Sequence, residues 1–160
     1  MLSQGGDPME TVELWARGAG FPRFLQAHRP AGLAFRLRRG RGEAPGLAVV
    51  APDWAGGPPR SSPCRALLLP GELALWAGEI PAGWVVSYGL AQRDSLTFSS
   101  LGRAPCLALQ RELVTLDGTC REPQELPLPP LPGADPRTLL AWAGVMLLLG
   151  VPPEDLPKLL

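Results

Sequence analysis

The sequence is poor in the residues that do chemistry. Lys158 is the sole lysine among 15 basic residues, His28 is the sole histidine, and the three cysteines are Cys64, Cys106 and Cys120. With one histidine and no CxxC pair, the spacings of a zinc site or a disulfide framework are missing, and the cysteines read as reduced thiols. No metal ligand set and no cofactor are therefore expected. Neither Ser61-Ser62 nor Ser99-Ser100 sits in a G-x-S-x-G elbow or has a histidine partner in view, so nucleophilic catalysis finds no support. The formal net charge is zero, which removes the global field that recruits nucleic acid or an anionic membrane. The longest apolar run, LLAWAGVMLLLGV from Leu139 to Val151, is short of the ~20 residues a membrane span needs. The opening MLSQGGDPMETVELW carries acids where a leader would carry basic residues. A cytoplasmic protein without a membrane partner is the expectation.

What the chain does have is material for a core. An apolar fraction of 46% against 19% charged residues is that of a globular chain, and 160 residues suit a single domain spanning 1–160. Twenty prolines and 19 glycines then imply short elements and many turns. The bias toward Ala, Gly, Pro, Leu and Arg is that of a GC-rich, bacterial coding sequence, which also multiplies chance arginine clusters.

From Met9 to about His28, Val12, Leu14, Trp15, Phe21, Phe24 and Leu25 fit one or two short helices, interrupted near Gly18-Ala19-Gly20. Two strands are predicted next, Leu33 to Arg38 and Leu47 to Ala51, joined by a glycine-rich turn. DWAGGPPRSSP, residues 53–63, reads as an exposed loop, with Trp54 its exposed partner contact. A buried strand at Ala66 to Leu69, a short helix from Gly71 to about Gly78 and a buried strand at Trp84 to Tyr88 make a compact right-handed crossover between parallel neighbours. After Gly89 the period changes to two: SLTFSSL, PCLALQ, ELVTLDG and QELPLPP predict an antiparallel meander. Asp135 as N-cap, Pro136 at the first helical position and Gly150 as the stop bound a helix apolar nearly all round, hence buried. PPEDLPKLL adds a second small helix. The fold class is thus α/β: a small mixed sheet with a parallel strand-helix-strand unit, an antiparallel meander and a buried C-terminal helix.

Few residues are candidates for a site. His28 reads as a solvated helix-end histidine rather than a general base, since no second histidine or acidic cluster accompanies it. Arg36, Arg38, Arg39 and Arg41 read as a solvated face rather than a nucleic-acid contact, with no aromatic platform beside them. Among the carboxylates Glu72, Asp94, Asp117, Glu122 and Glu125, none has a partner fixed by sequence, and Asp117-Gly118 is turn chemistry. Asp94 follows the Tyr88-Gly89 break and could line a crevice at a strand's carboxyl end, where open parallel sheets bind ligands. The plainer reading is a polar loop. The ligand-binding candidates are Asp94, Glu72 and Asp135; no catalytic or metal-binding residue is assigned.

The strand-helix-strand ending in VVSYGL, the SLTFSSL strand, Pro132-Gly133, and LLAWAGVMLLLGVPPEDLPKLL occur in an order that resembles the later half of the central domain of the Mur ligases, the ATP-dependent amino-acid-adding enzymes of peptidoglycan synthesis. The resemblance covers roughly residues 66 to 160. It implies a strand ending in Tyr-Gly, a meander, and a helix ending in Leu-Gly-Val. The departures remove the chemistry the family implies. No glycine-rich phosphate loop with a lysine is present; the Asn-x-Asp-Asp position reads Leu69-Pro70-Gly71-Glu72; the His-Asn pair near adenine is replaced by Ala134-Asp135. Residues 1–65 would supply one or two strands in a shortened front half, with GLAVVAP the natural candidate. The resulting expectation is a non-catalytic Mur-ligase-like module that binds a protein partner or a small ligand. Its alternatives are a component of a multi-chain ligase whose phosphate loop comes from another subunit, and a structural subunit of a homo-oligomer.

Overall fold

A computed structural model describes residues 9–160; the leader-free reading of residues 1–8 lies outside them. Its first element corrects an expectation. ETVELW, β1 (Glu10–Trp15), is a strand, and only Gly20–Ala27 is helical, as α1. The physical reason is a period of two: Val12 and Leu14 point to the core, while Glu13 points to the other face and is also fully buried. A buried charge needs a partner, and Glu13 has Arg38 directly opposite on the next strand at 2.8 Å, with the Trp15 indole N–H at 3.0 Å and the Ser61 hydroxyl also donating to it.

Phe35–Arg39 (β2) and Leu47–Val50 (β3) do not pair with each other, although a short glycine-rich segment joins them. Both pair with β1 in parallel, β1 lying between them. The front of the chain therefore supplies three strands, where one or two were expected. Cys64–Pro70 (β4) lies parallel to β3, and Ala82–Tyr88 (β5) parallel to β4, with a 3-10 helix over Gly71–Gly78 connecting them. LAVV in β3 and ALLL in β4 are continuous apolar runs because both faces of the sheet are covered there.

Leu96–Ser100 (β6) touches β5 in parallel at one pair, Tyr88 with Leu96, and then the direction changes: Cys106–Leu109 (β7) is antiparallel to β6. Leu113–Val114 (β8) leaves this sheet and pairs with Cys120–Arg121 (β9) in a two-stranded ribbon, and Gln124–Pro127 (β10) returns to the edge beside β7. The expected meander thus has its third member folded out. The sheet is mixed and eight-stranded, in the order β10-β7-β6-β5-β4-β3-β1-β2.

Pro136–Leu148 (α2) and α1 cover one face, where Leu140, Trp142, Val145 and Met146 join Leu14, Val49, Leu68 and Leu96 in the main core. Trp142 donates to the His28 carbonyl at 2.6 Å and meets Phe24 edge-on. At Gly144 the helix lies close to the sheet; a β-carbon there would be 2.8 Å from Leu68. Pro153–Leu159, a 3-10 helix, packs against α2 as well, which is why α2 is apolar on every side. The opposite face is covered by the 53–63 loop and the Gly71–Gly78 helix, where Trp54, Leu73 and Trp76 pack on Ala48, Val50, Leu67 and Leu69. Trp54 is half-buried against the edge of Trp15, not fully exposed as expected of a partner contact. His28 stands at the helix end as expected, as the C-cap of α1, but is half-buried: its Nδ1 lies 3.0 Å from the Leu159 carbonyl and its ring is against Phe24. No helix among the described residues is long and apolar enough to cross a membrane.

Candidate functional site

Strands β2, β1, β3, β4 and β5 follow the doubly wound order 2-1-3-4-5, in which successive connections leave to opposite faces on either side of the β1/β3 boundary. The chain therefore continues to opposite faces of the sheet after β1 and after β3. The gap left there, with the start of α2 above it, is a cavity of about 450 Å3 lined by Gly20, Phe21, Pro52, Asp53, Asp135 and Arg137. Open parallel sheets bind ligands at this place.

The loop after β1 runs Arg17-Gly18-Ala19-Gly20 into the N-terminus of α1, where phosphate-binding proteins aim backbone N–H groups at an anion. Here an anion is already in place and belongs to the chain. The Asp53 carboxylate, from the loop after β3, accepts from the N–H of Gly18 at 2.8 Å and of Arg17 at 3.2 Å. A phosphate arriving at these donors would meet a carboxylate, and the cation this loop supplies is the exposed Arg17 rather than a lysine.

The cavity's other charged groups are engaged too. Asp135 caps α2, accepting from the Thr138 N–H at 3.2 Å and hydroxyl at 3.1 Å. Arg137 pairs with Glu72, whose carboxylate raises the arginine further above its ordinary pKa. Beneath them the Tyr88 hydroxyl donates to the Val50 carbonyl at 2.6 Å across the sheet, and burial pushes it well above the usual phenol value. It is a brace between β5 and β3, since a phenol held protonated is a poor base or nucleophile.

Of the three candidate ligand residues, the structure brings Asp135 to the cavity directly and Glu72 through its pair with Arg137. Asp94 lies elsewhere. It is buried at the β5–β6 corner, accepts from the Ala91 N–H at 3.1 Å through Oδ2, and has no hydrogen-bond partner on Oδ1. Its carboxyl occupies space that two glycines leave free: a β-carbon on Gly71 would lie 2.6 Å from Cγ, and one on Gly89 would lie 2.6 Å from Oδ2. Asp94 thus packs between the carboxyl ends of β4 and β5 and lies against the first turn of the Gly71–Gly78 helix.

The other candidates are dispersed. Arg38 and Arg39 are tied to Glu13 and to the Ala16 carbonyl, whereas Arg36 and Arg41 are exposed on the β2 edge and the turn beyond it. Ser61 is committed to Glu13, and the Ser99 hydroxyl lies 3.4 Å from the Cys106 carbonyl. Asp117 accepts from Thr115 and Thr119 in the β8–β9 turn, with Gly118 at φ +91°. Glu122 lies in the link between β9 and β10, and Glu125 on the edge strand β10. No group of three His, Cys, Asp or Glu side chains among the described residues could hold a metal ion. Sequence reasoning missed Asp53, Arg17 and Gly18. The signal was present as Gly18-Ala19-Gly20, two glycines between an alternating strand and an apolar helix. Comparison with protein-family models and with curated proteins finds no match for this chain.

Proposed function

We propose that this chain is a non-catalytic module related to the Mur ligase central domain, acting by binding a small ligand or a protein partner. The observation that carries the reading is the Asp53 carboxylate on the N–H groups of Arg17 and Gly18. In a nucleotide-binding member of such a fold those donors hold phosphate, and a lysine supplies the counter-charge. Here the donors are satisfied internally and the loop reads Arg-Gly-Ala-Gly-Phe-Pro. Support for the relationship comes from the strand order, from the change to antiparallel pairing after Tyr88-Gly89, and from the Asp135-capped helix that ends in Leu149-Gly150-Val151.

Isothermal titration with Mg-ATP tests this directly. The expected result is no binding heat up to millimolar nucleotide; saturable binding with a micromolar Kd would overturn the reading.

A further inference from the structure

A second cavity, of about 420 Å3, lies between the β6–β7 turn and the segment that leads into α2. That volume falls within the roughly 300–1,000 Å3 typical of small-molecule sites. Its walls are Phe98, Leu139 and four prolines, Pro105, Pro130, Pro132 and Pro136. Proline has a fixed φ and no N–H, so these walls are pre-ordered and offer almost no donors. The rim adds little: the Gly102 N–H is directed at the Ser100 hydroxyl and the Ala134 N–H at the Leu131 carbonyl.

One lining residue is charged. Arg103 is exposed and makes no ion pair among the described residues. Beside it Leu101 stands 52% exposed. A neutral apolar molecule would leave the guanidinium to water, a cation would be repelled, and a polyphosphate would find neither a second cation nor backbone donors. We propose that this cavity binds a small carboxylate with an alkyl or aryl body, the body against the prolines and Phe98 and the anion on Arg103. The assignment deepens the small-ligand arm of the proposed function and rests on it.

The test is an amide NMR titration of the whole chain with decanoate, using decan-1-ol as the neutral match. Decanoate is expected to shift the Leu101, Gly102, Arg103 and Ala134 signals and to bind about fivefold tighter than the alcohol, the scale of one exposed charge pair. Arg103→Gln should abolish that preference and leave the alcohol's affinity unchanged. Silence at these four amides, shifts mapping to another face, or a preference that survives Arg103→Gln would overturn the proposal. Failure here leaves the Mg-ATP result standing, whereas ATP binding would sink the parent reading whatever decanoate does.

Discussion

Replacing Gly71 by alanine should destabilise the protein through one side chain, Asp94. Gly71 has no positive φ, so alanine can adopt its backbone conformation without strain. The obstacle is steric: the new methyl would fall on the buried Asp94 carboxyl, 2.6 Å from its Cγ and nearer still to Oδ1. Either the corner opens or Asp94 swings out and gives up its bond from the Ala91 N–H. Overpacking and the loss of a bond to a charged acceptor each cost about 1–3 kcal/mol, so a net loss of about 2–3 kcal/mol is expected. For a chain of this length that lowers Tm by about 4–12 °C. Asp94→Ala alone should cost about 1–2 kcal/mol, because it orphans the Ala91 N–H while removing the unpartnered Oδ1. The double variant should then be about as stable as Asp94→Ala, giving an interaction energy of about 2 kcal/mol in a urea-melt cycle. Asp94→Asn, equal in size, should not rescue Gly71→Ala. Additivity within about 0.5 kcal/mol, or rescue by asparagine, would refute this packing.

Asp53→Ala leaves the N–H groups of Arg17 and Gly18 to water, and because both bonds are exposed the urea-melt loss should be about 0.5–1.5 kcal/mol. Asp117 accepts from Thr115 and Thr119, which hold its carboxyl down at about 2 against an ordinary 3.8. Since the folded value lies below the unfolded one, its contribution to stability is present above about pH 4 and lost as pH falls toward 2. Carboxyl NMR should show that midpoint, and Thr115→Val should move it back up. Burial pushes the Cys64 thiol up to about 11, so its share of stability persists below pH 9 and disappears between 9 and 11. Its alkylation by iodoacetamide at pH 8 should be slow compared with a free thiol, and rapid labelling would contradict the burial.

The fold was legible where one physical signal dominated. ALLL is apolar on both faces because the sheet is covered on both there, and Asp135-Pro136 with Gly150 bounds α2 by capping chemistry; VVSY, expected to be buried throughout, is buried at Val86 and Tyr88 while Val85 on the other face is 41% exposed. ETVELW was misread because Glu13 looks solvated: its burial depends on Arg38, 25 residues away, and no local pattern announces a cross-strand ion pair. The same limit hid the parallel β1–β2 and β1–β3 pairs, since a short glycine-rich link reads as a hairpin while the strands on either side of it have a third strand between them. In ELVTLDG the alternation is real but serves the β8–β9 ribbon. Periodicity reports a strand and not its neighbour.

At the site the same distinction separates what a residue is from what it is beside. Glu72, Asp94 and Asp135 were picked out as carboxylates near strand and helix ends, and each is there, but each is spent on structure: a pair with Arg137, a corner between two glycines, a helix cap. Asp53 went unremarked inside a loop defined by its prolines and glycines, yet it ties the loop after β3 to the loop after β1 at the edge of the switch-point cavity. The donors it occupies, the N–H groups of Arg17 and Gly18, lie in the loop just before the N-cap of α1, and their engagement cannot be read from Gly18-Ala19-Gly20 without the loop that folds back upon it. The strand order is maintained by burial and pairing, while the groups its cavity presents are set by the neighbouring loops, here Asp53 beside Asp135 and Arg137.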